Sequence, residues 1–234
     1  MKTIIRVLFI LLFHFNISAQ QNDIPFKKGE KLQYKIHYGP ITAGIANLEI
    51  ETLPNKFKFI ANGQSNRLFS LFFEVKDFYE SIVDKKSLHP NQFYRNVKEG
   101  GYKKIENVFF NHKLNQAETT RDTIPLPENP QDILSMFYYL RTIQLMNENI
   151  LAFDYFNGKK KINYKLIVSG KEEIKSKIGS FNCYIVKPFH QGKSLLKNEG
   201  DMKIWISDSE KRLPIKIQIK MKFGSMKLDL ISVN

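Results

Sequence analysis

Hydrophobic and polar residues alternate along most of this chain, which is the pattern of half-buried β-strands. In residues 31–38, KLQYKIHY, apolar side chains occupy every second position and polar side chains occupy the positions between them. A period of two places one face of a strand on a core and the other towards water. Similar segments, separated by turn sequences such as Gly100-Gly101 and Asn157-Gly158, lie on both sides of residues 132–146. The pattern predicts a meander of antiparallel strands, one helix and a second meander.

Residues 132–146, DILSMFYYLRTIQLM, interrupt this alternation and predict an α-helix that starts near Asp132. Ten of the fourteen residues from Ile133 to Met146 are apolar, and they cover nearly every side of a helical wheel. A helix that is apolar all round has to be enclosed, because a surface helix keeps one polar face. We therefore predict a mainly β, α+β fold in which a curved antiparallel sheet, or open β-barrel, wraps around one central, largely apolar helix. Another apolar stretch without strict alternation, residues 67–73, is compatible with a helical turn or a wide bulge.

The first 19 residues have the three-part pattern of a secretory signal peptide. Two basic residues, Lys2 and Arg6, precede an apolar run from Val7 to Phe13, and small and polar residues follow up to Ala19. The run is too short to span a bilayer as a stable helix. We predict cleavage after Ala19 and export to the periplasm of a Gram-negative envelope, with no transmembrane anchor afterwards. Since no cysteine stands near the cleavage point, we expect no lipid-modified N-terminus, and residues 20–234 are predicted to form one β-rich domain.

Charge and cysteine content narrow the range of partners. The formal net charge is +13, and the basic residues are scattered along the sequence apart from Lys159-Lys160-Lys161. In an exported protein this excess favours solubility or contact with an anionic lipid or polysaccharide, so we expect no nucleic-acid partner. Cys183 is the only cysteine, and stability therefore has to come from packing rather than from an intramolecular disulfide.

The sequence contains no recognisable catalytic or metal-binding motif. After the predicted signal peptide the histidines are His37, His89, His112 and His190, and no two of them are three to five residues apart. The spacing of a zinc site is therefore missing, as are a G-x-S-x-G nucleophile turn and a glycine-rich phosphate loop. We expect no enzymatic activity, no metal ion and no cofactor, and we assign no catalytic residue.

Arg141 is the most informative polar residue, because it stands on a helix with apolar flanks. Burying an unpaired guanidinium is very unfavourable. The favoured interpretation is a structural ion pair between helix and sheet, for which the acids considered are Glu99, Asp208, Asp77 and Glu80. The alternatives are contact with an anionic group of a ligand, or a side chain that reaches an edge of the sheet.

The chain is rich in aromatic residues, with nineteen Phe and ten Tyr. A well-filled core accounts for them, but a curved sheet with a helix on its concave side rarely closes completely, and a slot left there would accept an acyl chain. Trp205 points away from the apolar face of its strand, so it either lines such a cavity or covers the edge of the core. The candidates for lining the slot are Phe137, Tyr138, Arg141, Trp205, Phe109 and Tyr79.

Several short motifs occur in a fixed order along the chain. They are FKKGEKLQY at 26–34, Gly44, Glu99-Gly100, DILSMFYYLR at 132–141, IGSFNCY at 178–184 and IWISD at 204–208 with Arg212-Leu213-Pro214. In this order they resemble the DUF3108 family of exported bacterial proteins of unknown function. The resemblance implies a sheet curled around a helix, similar to the open β-barrel of periplasmic lipoprotein carriers, and it implies no established activity.

Export, the predicted curled sheet and the surplus of aromatic residues together favour a non-enzymatic envelope protein. On this interpretation the protein binds or carries a lipid or another hydrophobic ligand. The alternative is a structural or protein-interaction module of the envelope without a small-molecule ligand, in which the helix merely fills the sheet. The two hypotheses differ in whether an apolar cavity lies between helix and sheet, and the sequence identifies no partner protein.

Overall fold

The described part of the chain consists of fifteen β-strands and two short helices. The computed structural model describes residues 24–156, 161–188, 202–220 and 224–234. The predicted signal peptide, the Asn157-Gly158 turn, Lys159-Lys160 and His190 lie outside these residues. The helices are α1 (Arg67–Ser70) and α2 (Ile133–Thr142). The strands are β1 (Lys31–Tyr38), β2 (Ile41–Leu53), β3 (Lys56–Ser65), β4 (Val75–Asp84), β5 (Pro90–Glu99), β6 (Tyr102–Asn111), β7 (Gln116–Thr119), β8 (Thr123–Pro125), β9 (Pro130–Gln131), β10 (Ile150–Phe156), β11 (Lys161–Ser176), β12 (Gly179–Pro188), β13 (Met202–Ser207), β14 (Pro214–Lys220) and β15 (Ser225–Val233).

Alternating side chains give the central strands one buried face. In β1, Leu32 and Tyr34 are buried, whereas the residues on either side of them are more exposed. The register places Leu48 of β2 beside Leu32, and Phe59 of β3 beside Ile50 of β2. Buried faces of neighbouring strands therefore form one continuous apolar surface. We call the face that carries these five residues the inner face of the sheet.

All fifteen strands belong to one sheet, in the order β8-β7-β6-β5-β4-β3-β2-β1-β15-β14-β13-β12-β11-β10-β9. Strand β1 pairs with both β2 and β15, so the two meanders meet along β1 and β15. Neighbouring strands run antiparallel except β9 and β10, which are parallel. The sheet remains unclosed, because its edge strands β8 and β9 are not paired with each other.

The connection between the two edge strands shows that the sheet is strongly curved. A flat sheet of this size would separate its edges by about 65 Å, because neighbouring strands lie about 4.8 Å apart. Edge strands β8 and β9 are nevertheless consecutive along the chain, and the four residues between them can span at most about 18 Å. Across this gap, which we call the seam, the rings of Phe110 on β6 and Phe156 on β10 meet edge-on with centroids 5.9 Å apart. The curl therefore brings the two ends of the sheet into side-chain contact.

Helix α2 contributes its buried side chains to two apolar clusters. Leu134 and Tyr138 pack in one cluster with Phe59 and the other apolar residues of β1 to β4. Met136 and Leu140 pack in a second cluster, with apolar residues of β10 to β13. The helix thus connects the two halves of the sheet through its side chains.

The helix is shorter than predicted and is not buried on every side. It ends before Ile143, which has extended backbone angles. Nη1 of Arg212 donates to the carbonyl oxygens of Arg141 and Ile143 at 3.2 and 2.7 Å, which satisfies two groups that a longer helix would have paired internally. At the other end, Ile133 is 41% exposed. The coarse prediction of a mainly β fold with a curved sheet is confirmed, whereas the prediction of a helix buried all round is not.

The apolar stretch after β3 forms the helical turn α1 rather than a wide bulge. This turn lies in the connection between β3 and β4. Within the described ranges, neither helix has the length and hydropathy that a membrane-crossing helix needs.

Candidate functional site

Arg141, in the last turn of α2, forms a buried ion pair with Glu30, which immediately precedes β1. Its Nη1 and Nη2 donate to Oε1 and Oε2 of Glu30 at 2.6 and 3.0 Å. Nε donates to the carbonyl oxygen of Arg212 at 3.1 Å, and Nη2 also donates to that of Lys211 at 3.0 Å. A bidentate carboxylate with two further acceptors compensates for the loss of water around a buried guanidinium. The geometry is that of a structural ion pair between helix, first strand and the loop before β14.

The carboxylate partner of Arg141 is not one of the predicted acids. Asp208 pairs with Lys171, Glu80 pairs with Lys58, and Asp77 lies beside Glu99. The sequence did contain a signal for Glu30, because it lies two positions before Leu32 and is therefore in phase with the buried face of β1. A carboxylate in that phase has to be buried, and a buried carboxylate requires a partner.

Aromatic rings pack closely around the ion pair. Tyr138 stacks on Phe59 with centroids 3.9 Å apart and meets Phe26 edge-on at 5.2 Å. The guanidinium carbon of Arg141 lies 5.2 Å from the ring centroid of Phe26 and 5.6 Å from that of Tyr138. Burial raises the pKa of Tyr138 well above its ordinary value. Tyr138 and Arg141, both predicted to line a slot, thus belong to the packed core beside it.

Beyond these rings, towards the end of the sheet that carries α1, the inner face is more open. The register places Gly63 of β3 between Ala46 of β2 and Asp77 of β4, and Ala61 lies beside Tyr79. Ala46, Ala61 and Tyr79 are only partly buried. A Cβ atom added at Gly63 would have no heavy atom within 4 Å. Small side chains on β2 and β3 therefore leave open space beside Gly63, and we call the surface of Ala46, Ala61, Gly63 and Tyr79 the inner cleft.

Phe137, another predicted lining residue, lies at the margin of the core. It is partly buried and packs against the same apolar cluster as Ala46, Ala61 and Tyr79. Its ring meets that of Tyr138 edge-on with centroids 5.7 Å apart. Of the six predicted lining residues, Tyr79 and Phe137 are thus the two placed at the margin of the core rather than within it or outside it.

Charged side chains occupy the inner face on the next two strands. Nη2 of Arg95 lies 2.6 Å from Oε2 of Glu106, and Nζ of Lys104 lies 2.7 Å from Oε1 of the same carboxylate. Arg95 lies directly beside Tyr79 in the register of β4 and β5. Two cations thus share one buried carboxylate next to the inner cleft.

Asp77 and Glu99 form a carboxyl pair in the same region. Burial, followed by the negative charge of Glu99, raises the pKa of Asp77 to about 6, although its carboxylate also accepts the backbone N–H of Lys98 at 3.1 Å. Near neutral pH Asp77 therefore holds a proton more readily than an isolated aspartic acid does. The inner face consequently changes from apolar side chains near α2 to polar ones at its open end.

Two predicted lining residues lie away from the inner cleft. Phe109 is 47% exposed and lies on the face of β6 opposite to Phe110, so it is not placed to line a slot on the inner face. Trp205 lies on the face of β13 opposite to Ile204, and it packs in the core cluster that includes Cys183. Its Nε1 donates to Oε2 of Glu172 at 2.8 Å. Trp205 was expected either to line a cavity or to cover the edge of the core, and in the structure it covers the core.

Two cavities of the described ranges lie away from the inner cleft. One, of about 280 Å³, is close to the seam and has polar residues such as His89, Gln131 and Asp154 in its lining. The other, of about 240 Å³, lies between Ile45, Ile231 and neighbouring residues. Among the described residues, no three His, Cys, Asp or Glu side chains are grouped so that they could hold a metal ion.

Comparison with known proteins gives a family and a shared fold. A family model described as "Protein of unknown function (DUF3108)" matches residues 33–231. No curated protein matches the chain. A solved β-barrel-like protein with a domain of unknown function, DUF1849, from Brucella abortus has a TM-score of 0.57 at 7% identity, with 88% of this chain and 97% of that chain covered. At this identity the likeness concerns the fold alone, and it agrees with the curved sheet.

Two further solved structures are more distant. A hypothetical protein from Chlamydia trachomatis has a TM-score of 0.38 at 10% identity, with 89% of this chain and 87% of that chain covered. A Bacteroides fragilis protein described as exported, with a YmcC-like fold, has a TM-score of 0.32 at 9% identity, with 90% of this chain and 98% of that chain covered.

Proposed function

This chain belongs to the DUF3108 family of proteins of unknown function, and we propose that it binds a hydrophobic molecule on the inner face of its sheet. In this proposal the protein is exported and non-enzymatic, and the sheet wraps α2 with the ligand held beside the helix. The observation that supports it is the inner cleft, where the partly exposed apolar side chains of Ala46, Ala61 and Tyr79 lie beside the open position at Gly63, with Asp77 at its polar edge. An apolar surface left open to water gains free energy when an apolar ligand covers it.

The chemistry of the inner face favours an amphipathic ligand such as a lipid. Each methylene group of an acyl chain buried beside Ala46 and Ala61 would contribute about 0.8 kcal/mol. The polar end of such a molecule would then lie near Arg95 and Lys104, which share Glu106, and near the carboxyl pair of Asp77 and Glu99. Charged groups of both signs favour a polar end group at this position without selecting an anion.

Filling the open position tests this proposal directly. In Gly63→Leu the new side chain would occupy the inner cleft, and we expect the affinity for the uncharged fluorescent probe N-phenyl-1-naphthylamine to fall by about tenfold or more. The matched control is Gln64→Leu, which adds the same side chain at the next position of β3, on the opposite and exposed face. Fluorescence titration gives both affinities, and circular dichroism checks that each variant is folded.

Solvent extraction of the purified protein, followed by mass spectrometry, provides a second measurement. We expect co-purified lipid from the wild type and the Gln64→Leu variant, and less from Gly63→Leu. A wild type that neither releases lipid nor binds the probe would overturn the proposal. So would a folded Gly63→Leu variant that binds as well as Gln64→Leu, and the alternative of an envelope interaction module without a small ligand would then be preferred.

We further propose export to the periplasm without a lipid anchor, on the basis of the N-terminal sequence pattern. Expression of the full chain should yield a periplasmic protein, released by osmotic shock, whose intact mass corresponds to a chain starting at Gln20. A cytoplasmic protein that retains residues 1–19, or a mass that includes an acyl group, would contradict this assignment.

A further inference from the structure

The connection between β3 and β4 exposes three large apolar side chains. Leu68, Leu71 and Phe72 are 74, 77 and 89% exposed, more than the other large apolar side chains of the described residues. We call residues 66–74 the apolar tip. Contiguous exposed apolar residues on a soluble protein indicate a surface that another molecule covers.

Hydrogen bonds hold the apolar tip in one conformation. Oδ1 of Asn66 accepts the backbone N–H of Phe69 at 2.8 Å, and its Nδ2 donates to the carbonyl oxygen of Thr42 at 2.6 Å. The hydroxyl of Ser70 donates to the carbonyl oxygen of Asn66 at 2.8 Å. Asn66 is therefore both the cap of α1 and its link to β2, so the exposed side chains project from a fixed turn.

The remaining aromatic residues of the apolar tip pack against the protein. The ring of Phe69 meets that of Tyr38 with centroids 6.2 Å apart. Phe73 lies so close to Gly100 that a Cβ atom there would come within 2.7 Å of its ring, and the Gly100 N–H donates to the carbonyl oxygen of Glu74 at 2.8 Å. Phe69 and Phe73 thus anchor the segment through these contacts, although Phe73 is itself 46% exposed.

A row of lysines lies beside the apolar tip. Lys76, Lys98 and Lys103 are direct neighbours in the registers of β4, β5 and β6. Like charges opposite each other on adjacent strands are unfavourable unless an anion neutralises them. Glu74 supplies one carboxylate, 2.6 Å from Nζ of Lys98. The hydrogen bond from Lys98 and the charges of all three lysines lower the pKa of Glu74, which places the whole row within electrostatic range of the tip.

We propose that the apolar tip docks the protein on an anionic lipid bilayer. Leu68, Leu71 and Phe72 insert at the boundary between headgroups and acyl chains, and the lysine row faces the anionic headgroups. Apolar insertion and electrostatic attraction each contribute only weak membrane binding, but the two together give binding that is selective for anionic bilayers. The formal net charge of the full sequence is +13, and the charge that remains after removal of Lys2 and Arg6 with the predicted signal peptide, +11, acts in the same direction at longer range. The inference does not depend on a ligand in the inner cleft.

Flotation with lipid vesicles tests the docking. We expect the wild type to float with vesicles of phosphatidylcholine mixed with phosphatidylglycerol, and much less with phosphatidylcholine alone. The triple variant Leu68→Ser, Leu71→Ser and Phe72→Ser should lose about tenfold or more of its partitioning, because three apolar side chains no longer insert. Replacement of the three lysines by glutamine should abolish the preference for anionic vesicles.

The control is Leu114→Ser, which removes another apolar side chain, 63% exposed in the turn after β6. Strand β6 has ten residues, so this position is about 30 Å from the turn that contacts the apolar tip. Leu114→Ser should float like the wild type. A triple variant that still floats with anionic vesicles overturns the proposal, and so does a wild type that does not float with them, which would assign the tip to a protein partner.

A fluorescent substitution provides a readout that does not rely on loss of binding. In Phe72→Trp the new indole is exposed, whereas the native Trp205 is buried and contributes a constant background. Insertion predicts a blue shift of the emission on addition of anionic vesicles and quenching by brominated acyl chains. Emission that stays unchanged while the protein floats would show that the tip remains in water, and the proposed mode of docking would be wrong.

Discussion

At the residue scale, the ion pair of Arg141 and Glu30 illustrates how a buried charge specifies a position. Two charges removed from water gain little net stability from each other, because desolvation offsets most of their attraction. Loss of one partner is costly, however, since the other charge is then buried alone. The pair therefore favours the one arrangement of α2 and β1 in which both charges are satisfied.

The variant Glu30→Ala tests this asymmetry. We expect it to lower the free energy of unfolding by about 3–5 kcal/mol, because the guanidinium of Arg141 loses its carboxylate. Urea denaturation followed by circular dichroism measures the change. The double variant Glu30→Ala and Arg141→Leu should be less destabilised than the sum of the two single variants.

A matched control is the exposed pair of Lys171 and Asp208, whose charged atoms are 2.6 Å apart, as in the buried pair. Asp208→Ala should leave the denaturation midpoint close to that of the wild type, because water screens this pair. Equal effects of Glu30→Ala and Asp208→Ala would contradict the role assigned to burial.

The sequence indicated that Arg141 matters, because an isolated charge on an apolar helix has to be satisfied. Its partner is indicated by a different feature, the phase of Glu30 with Leu32, and not by a position at a strand end or turn. Phase also separates Phe109 from Phe110, because adjacent strand residues point to opposite faces. Strand phase, rather than local composition, therefore predicts where both residues lie.

At the element scale, one end of α2 is determined by local sequence and the other by distant contacts. Asp132 caps the start: its Oδ1 accepts the backbone N–H groups of Leu134 and Ser135 at 2.8 and 2.9 Å, and its own N–H donates to the hydroxyl of Ser135 at 2.9 Å. This capping pattern is readable from sequence. The end depends on Arg212, which is seventy-one positions from Arg141, so local periodicity extended the predicted helix too far.

The cap also makes stability depend on pH. Burial raises the pKa of Asp132 from about 3.8 to about 6, against hydrogen bonds from Ser81 and from the first turn of α2, which act to lower it. The folded protein therefore binds a proton at this site between these two values, whereas the unfolded chain does not. This proton binding stabilises the folded protein fully below the pKa that Asp132 has in the unfolded chain, and the stabilisation is lost as pH rises through about 6. The free energy of unfolding then decreases by about 1.4 kcal/mol for each unit by which the two pKa values differ.

Asp132→Asn isolates this contribution, because asparagine is an equally good cap and does not titrate. We expect the stability of the wild type relative to the variant to decrease as pH rises from about 4 to about 7. Urea denaturation of both proteins across this range measures the difference, in which other carboxyl groups cancel. A difference that is constant, or that increases with pH, would contradict the raised pKa.

At the scale of the whole molecule, the order of the strands shows why topology was only partly predictable. Hairpins between consecutive strands follow from turn signals and alternation, and they account for most of the neighbouring pairs in the sheet. The pairing of β1 with β15 joins opposite ends of the described chain, and no local pattern specifies it. The curvature could not be predicted locally either, because the short connection between β8 and β9 indicates it only when both are known to be edge strands.

The seam should therefore depend on side chains, because its edge strands are not paired with each other. Phe110 is buried and contacts Phe156 across the gap, with centroids 5.9 Å apart. We expect Phe110→Ala to lower the free energy of unfolding by about 3–5 kcal/mol, because a buried ring is replaced by a cavity. Amide hydrogen exchange should accelerate in β7, β8 and β10 and remain slow in β2 and β3, which lie near the middle of the sheet.

Phe109→Ala is the control at the adjacent position of the same strand, where the ring lies on the opposite face and is 47% exposed. It removes the same atoms from β6 but leaves the contact with Phe156 intact, so its midpoint of urea denaturation and its hydrogen exchange at the seam should stay close to those of the wild type. Similar acceleration in both variants would mean that β6 itself, rather than the contact across the gap, controls opening. Acceleration confined to Phe110→Ala would show that a few aromatic side chains keep the unpaired edges together, and that the sheet can open at this position without losing its central strands.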